Sequence, residues 1–202
     1  MKPVLLSTAY LPPLHYFSEL LKNESVFIEK HEHYIKQTYR NRCEILSSNG
    51  KLSLSIPLQK NAEKEIISEK KISYAENWQI KHWRAITSAY KNSAYFEFFE
   101  DDFKQFYFEK HELILDYNTE LTKLILKILR QKKEIQFTKH YEKEFKGIDL
   151  RETSNIKQET LNIFQPFYQV FGNKLGFTHN LSVIDLLFNK GLESVDYLTL
   201  KI

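Results

Sequence analysis

Cysteine is nearly missing from this chain: Cys43 stands alone among 202 residues. That excludes an intramolecular disulfide and any site built from several thiolates, and it is compatible with a reducing compartment. Glycine and proline number only five each, so no low-complexity or linker segment is expected. There is no Gly-rich phosphate loop, dinucleotide fingerprint, Gly-x-Ser-x-Gly element or metalloprotease helix pair. The sequence therefore implies no cofactor. No run approaches the roughly 18 apolar residues of a membrane span. The apolar stretch in residues 1–8 is far shorter than that of a signal peptide, and Pro12-Pro13 interrupts the chain soon after it, so a cytoplasmic location is the expectation. A strong excess of one charge is also lacking, with 29 basic against 26 acidic residues and a net charge of +3. Binding long nucleic acid usually leaves a larger basic excess, because each neutralised phosphate needs its own cation, so charge argues against that partner.

What the chain does have is a folded composition. Apolar residues make up 42% and aromatic residues 14%, including 15 Phe and 12 Tyr. At this length one domain over residues 1–202 can bury well over half the surface of its unfolded chain. Residues 3–8 read as a buried strand, and Pro12-Pro13 is placed to start a helix over 14–21. A second strand is expected over 26–29. Residues 43–46 and 52–58 read as a hairpin around Ser48-Asn49-Gly50, with Leu52, Leu54, Ile56 and Leu58 on one face. Residues 66–72 read as a further short strand. From Asn77, a candidate N-cap, the period becomes helical through Ile80, Trp83, Ile86 or Thr87, and Tyr90. Helices are expected over 103–115 and 121–129, joined near Asp116-Tyr117-Asn118, then a strand over 135–137 and a helix over 181–188 stopped by Gly191. This order fits a mixed α/β or α+β single domain: a mixed sheet with an N-terminal strand–helix unit, a hairpin and several packing helices.

Residues 29–42 form the densest polar segment, in which all but Ile35 carry a hydrogen-bonding side chain. Apolar residues on both sides hold it, which suits a ligand-facing segment. On a strand Glu29, His31 and His33 share one face and are a plausible metal set; an exposed polar strand end is the alternative. Glu32 and Lys36 are spaced as a helical ion pair. Lys36, Arg40 and Arg42, with Asn41, Tyr34 and Tyr39 nearby, offer cationic forks for phosphate or carboxylate beside aromatic faces, or else a solvated basic turn paired with acids. In residues 77–84 a helix places Trp78 and His82 on one face and sends Trp83 into the core, and His82 has the titration range of a general base or is a structural histidine. Ser7, Thr8 and Tyr10 end the first strand, where open α/β sheets usually place ligands, although such hydroxyls also cap helices. Cys43 begins a strand and reads as a buried inert thiol.

Four elements, residues 10–17, 34–42, 77–83 and 90–96, resemble the WbqC-like protein family in the same order and at similar spacing. The family's Tyr-x-Lys and Asn-Arg elements fall on Tyr34, Lys36, Asn41 and Arg42, and its Asn-Trp with following Lys-His falls on Asn77, Trp78, Lys81 and His82. Many members carry His-Gln-Pro where this chain has Ser7-Thr8-Ala9, a departure that bears on any shared mechanism. The resemblance implies a bacterial protein of O-antigen-type surface polysaccharide biosynthesis, a pathway rather than a reaction. The expectation is an anionic small-molecule ligand such as a nucleotide-sugar and group transfer to an amino sugar. Ser7, Tyr10, Tyr34, Lys36, Tyr39, Arg40, Asn41, Arg42, Asn77, Trp78 and Lys81 would bind substrate, and Glu29, His31, His33 and His82 would supply acid or base. The alternatives are a noncatalytic binding or assembly protein of the same pathway, and a single-stranded nucleic-acid binder using the same aromatic and basic residues. The sequence does not set the oligomeric state.

Overall fold

The computed structural model describes residues 2–60, 65–152 and 164–200. Strand β1 (Val4–Leu6) is wholly buried, as expected for an unbroken apolar run with neighbours on both edges. After Pro12-Pro13 comes α1 (Leu14–Lys22), whose apolar stripe of Leu14, Phe17, Leu20 and Leu21 is buried. Strand β2 (Val26–Ile28) then returns parallel to β1, pairing Val4 with Val26 and Leu6 with Ile28. The chain leaves the sheet for more than a hundred residues before β5 (Ile135–Phe137) joins β2 in parallel, and β6 (Ile148–Asp149) joins β1. The order is β5-β2-β1-β6.

The long excursion holds a separate antiparallel hairpin, β3 (Arg42–Ser47) and β4 (Gly50–Ser55). Gly50, at φ +104°, supplies the left-handed backbone at its tip. Helix α2 (Trp78–Tyr90) packs on β3. It is followed by α3 (Phe96–Lys104), a 3-10 turn over Gln105–Tyr107 and α4 (Ile114–Ile128). After β6 come α5 (Gly172–Leu175), α6 (Val183–Lys190) and α7 (Ser194–Thr199), with α7 against α1. A Cβ at Gly191 would lie 2.8 Å from the Tyr95 ring, so the glycine that stops α6 is required by packing as well as by its φ of +57°.

The α/β class is present, with parallel and antiparallel pairing in two sheets rather than one. Several element expectations are corrected. Residues 66–72 form a 3-10 turn, Ile67–Glu69, because isolated bridges hold Ile66 to His33, Lys71 to Leu113 and Ile72 to Leu58, three partners in different places. The expected helix over 103–115 is broken: Lys104 closes α3, a 3-10 turn follows, and the chain reopens as α4 only at Ile114. Asp116-Tyr117-Asn118 is not a joint but the first turn of α4, where an acidic residue suits the positive end of the helix dipole. Of the expected face of Leu52, Leu54, Ile56 and Leu58, only Leu54 and Ile56 are buried, Leu58 is half-buried and Leu52 near the tip is exposed. Ile80 is likewise exposed, because α2 turns Trp78, His82, Trp83, Ile86 and Tyr90 inward.

Cys43 is fully buried, and desolvation pushes its thiol well above the ordinary range. The folded protein is therefore expected to resist an aromatic disulfide reagent at pH 8 and to react stoichiometrically once unfolded in urea. Labelling of the native protein at the rate of a free thiol would contradict this burial.

Candidate functional site

The polar segment contributes to two polar centres. At the first, near the carboxyl ends of β1 and β2, Arg40 donates from Nε and Nη2 to the Glu32 carboxylate at 2.9 and 2.6 Å, and Ser7 completes the group at 2.8 Å from Nη2. Arg40 and Glu32 are both buried, so Glu32 pairs with Arg40 and not with Lys36. Glu29, also buried, accepts from the His31 backbone N–H at 2.9 Å, Thr138 Oγ1 at 2.7 Å and the Glu142 backbone N–H at 2.9 Å, with Arg151 Nη1 at 3.6 Å. Its oxygens are thus occupied by protein donors. His33 is exposed and bridged to Ile66, and among the described residues no group of three metal-ligating side chains converges.

The second centre is an open cleft of about 980 Å³ between the middle of the polar segment, the end of the hairpin and the start of α2. Backbone bonds lace the segment to residues 65–68: Tyr34 N–H to Glu65 O at 3.0 Å, Ile67 N–H to Glu32 O at 2.8 Å and Ser68 N–H to Lys30 O at 3.2 Å. Asn41 fixes the hairpin end, its amide donating to Ile56 O at 2.7 Å and its Oδ1 accepting from Tyr34 Oη at 3.0 Å. Tyr34, Lys36, Asn41, Arg42, Trp78, Lys81 and His82 all line this cleft. Ser7, Tyr10, Glu29, His31, His33, Tyr39, Arg40 and Asn77 are not in the lining. Asn77 occupies the N-cap position of α2 without a side-chain cap bond.

The described lining carries five cations, Lys36, Arg42, Lys60, Lys70 and Lys81, against the two carboxylates Glu65 and Glu76. Lys70 is held by Glu65 at 2.5 Å, and Lys81 pairs with Glu76 at 3.1 Å. Lys36, Lys60 and Arg42 make no ion pair among the described residues, so the described lining keeps a positive surplus. Sequence reasoning missed Gln37, Ser55, Gln59, Lys60 and Lys70 in the lining; a signal that was there is Pro57, since proline in a strand is confined to its ends and to sheet edges and so marks the hairpin end as a surface. Gln37 sits at φ +60°, a left-handed turn that a non-glycine residue adopts infrequently.

The back wall is aromatic. Trp78 is 3% exposed and meets His82 edge-on at 5.1 Å. The Trp78 Nε1 donor is buried without a hydrogen-bond partner among the described residues. His82 Nδ1 lies 3.0 Å from Tyr10 Oη, which is itself 3.0 Å from Tyr107 Oη. Desolvation lowers the His82 pKa to about 4, against a smaller upward effect of a hydrogen bond to the Ser55 backbone. The ring is therefore neutral at physiological pH, and its Nδ1 is engaged with the Tyr10 hydroxyl.

Fold and cleft together define an α/β protein with a parallel core sheet and a cation-rich surface cleft framed by an inserted hairpin and helix. Residues 8–160 match the model of the WbqC-like protein family, and the chain belongs to that family. It is also similar to the uncharacterized protein Rv1507c of Mycobacterium tuberculosis, at 25% identity over 230 aligned positions covering 98% of this chain and 97% of that protein. No solved structure matches it significantly. No helix among the described residues is long and apolar enough to cross a membrane.

Proposed function

We propose that this chain, as one WbqC-like unit over residues 1–202, acts in O-antigen-type surface polysaccharide biosynthesis. It binds a nucleotide-activated amino sugar in the cleft and takes part in group transfer to it. The observation that carries the reading is the surplus of cations in a roomy cleft: Lys36 and Arg42 are available to phosphate oxygens, and guanidinium matches such oxygens in pairs. A volume of about 980 Å³ lies at the upper end of the range for small-molecule sites, enough for a nucleotide-sugar. Tyr34 and Trp78 supply the aromatic walls against which a base or sugar packs.

A thermal-shift and calorimetric screen with uridine- and thymidine-diphosphate sugars tests it. A ligand at about 100 times its dissociation constant adds roughly 2.7 kcal/mol of stability. Arg42→Ala is expected to weaken that binding about tenfold to a hundredfold, the worth of a charge-assisted hydrogen bond. Arg42→Ala binding like wild type would overturn the reading, and so would a response confined to oligonucleotides that falls steeply with salt.

A second reading, binding without turnover, draws on the described lining itself. Both carboxylates there are ion-paired, and His82 is neutral with its Nδ1 engaged by Tyr10. Ligand binding with no product after prolonged incubation with acyl and glycosyl donors would favour it.

A further inference from the structure

The cleft wall holds a buried donor that the fold leaves unused. Trp78, the first residue of α2, lines the cleft and is 3% exposed, yet its Nε1 has no hydrogen-bond partner among the described residues. The rings around it have their own polar atoms committed. Tyr74, tilted at 6.0 Å, donates its hydroxyl to His111 O at 2.9 Å and accepts from the His111 backbone N–H at 2.8 Å. Tyr117, edge-on at 5.9 Å, donates to Phe106 O at 3.3 Å, and His82 Nδ1 is engaged with Tyr10. Three rings packed about Trp78 leave it little open face to stack on, so what it can offer is its edge, where Nε1 lies. Other neutral donors of the lining are used inside the fold: Tyr34 on Asn41, Asn41 on Ile56 O and Gln59 on Ile72 O at 3.3 Å. Buried donors in native proteins are almost always paired, and one left over in a cleft wall points to an acceptor on the ligand.

We propose that the Trp78 indole N–H is a specificity donor of the cleft, giving its hydrogen bond to an uncharged oxygen on the base or sugar of the ligand while Lys36 and Arg42 take the phosphates. The inference rests on reading the cleft as an anion site and divides that site into two halves. The unpaired cations come from the polar segment and the first residue of β3, whereas α2 contributes an uncharged aromatic wall. Along that wall His82 is neutral and Lys81 is paired with Glu76, so no free cation of α2 stands ready to offset a phosphate charge. Burying an anion against such a wall is costly, and burying a carbonyl or hydroxyl oxygen that receives a hydrogen bond is not. A buried donor of this kind also selects, because a ligand without the matching acceptor leaves the N–H unpaired in the complex.

The test compares three probes on the full chain: inorganic pyrophosphate, uridine diphosphate and uridine diphosphate N-acetylglucosamine. The chain has two tryptophans, so a nitrogen–proton spectrum shows two indole N–H signals. Trp83, stacked on Phe96 and Tyr107 and outside the lining, is the internal control, and the Trp78 signal is assigned by its contacts to the Tyr74 and Tyr117 ring protons. The sugar nucleotide is expected to move the Trp78 signal downfield and slow its exchange with water, while pyrophosphate leaves it in place. The same shift with uridine diphosphate puts the base on the wall, and a shift with the sugar nucleotide alone puts the sugar there. In calorimetry Trp78→Phe is expected to weaken the sugar nucleotide about fivefold to tenfold, as for one lost neutral hydrogen bond, and to leave pyrophosphate within about twofold. The wild-type titration needs no variant, so it decides the matter even where Trp78→Phe does not fold. An unmoved Trp78 signal at saturating sugar nucleotide, or equal losses for pyrophosphate and sugar nucleotide in Trp78→Phe, would overturn the inference and leave the anion reading standing. Failure of all three probes to bind wild type would remove the anion reading and the inference together.

Discussion

Arg40→Leu is expected to lower the stability of the folded chain by about 3–5 kcal/mol in urea unfolding at neutral pH. The size reflects the group left behind. Glu32 is 6% exposed, and desolvation already raises its pKa even with Arg40 in place. Removing both guanidinium bonds, at 2.9 and 2.6 Å, leaves a buried carboxylate with only the Ser7 hydroxyl, at 3.1 Å, among the described residues. The deficit should shrink on acidification. A carboxyl whose folded pKa lies above its unfolded value adds stability that is fully present below the unfolded pKa and lost as pH rises through the folded one. Losing Arg40 raises the folded value further, so the variant regains stability at low pH. Arg40→Leu combined with Glu32→Leu is expected to recover much of the loss, because a pair replaced by apolar groups leaves no orphan charge. A single variant as stable as wild type would show that the pair contributes nothing to folding.

Arg40 also marks where sequence reasoning reached its limit. Arg40 and Arg42 are two residues apart and chemically identical, and both are reasonable phosphate ligands from spacing alone. Folding separates them: Arg40 meets Glu32, eight positions back and outside helical reach, while Arg42 opens β3 and keeps its charge in the cleft. Which cation is already paired depends on how a loop without regular structure folds back, and no periodicity encodes that. Glu29 and His31 fall under the same limit, since Thr138 and Glu142, which surround Glu29, lie more than a hundred residues away.

Where local signals were strong the fold was legible. Continuous apolar runs produced β1 and β2, Pro12-Pro13 set the start of α1, and Asn49-Gly50 set the hairpin. The i, i+4 relation of Trp78 and His82 survived intact because helix geometry alone determines it. The edge strand β6 was not legible, because two residues carry no alternation and pairing with Val4 and Leu5 is wholly non-local. The short α5 and α7 were missed for a similar reason, being a few residues each with no room for an apolar stripe.

Asp185 gives the second large expected effect, as a pH dependence of stability that a single substitution removes. It lies in the first turn of α6 at 1% exposure, and burial pushes its carboxyl up to about 7 from an ordinary 3.8. Gln169 Nε2 donates to Oδ2 at 2.8 Å and lowers the value in part. Tyr90 also favours the anion, yet its hydroxyl and Asp185 Oδ1 make no hydrogen bond of ordinary length, so the second oxygen is left poorly solvated. Between pH 3.8 and 7 the folded chain keeps this proton while the unfolded chain releases it, so the Asp185 contribution declines with rising pH across that window and levels off above it. A shift of about three units corresponds to roughly 4 kcal/mol as an upper figure. Asp185→Asn preserves an acceptor for Gln169 and removes the ionisation. Relative to wild type it is expected to gain about 2–4 kcal/mol between pH 4 and pH 8 in urea midpoints, with the two proteins closest at the acid end. A constant difference across that range would mean that Asp185 titrates alike in the folded and unfolded chain, and that its burial is offset by partners other than Gln169 and Tyr90.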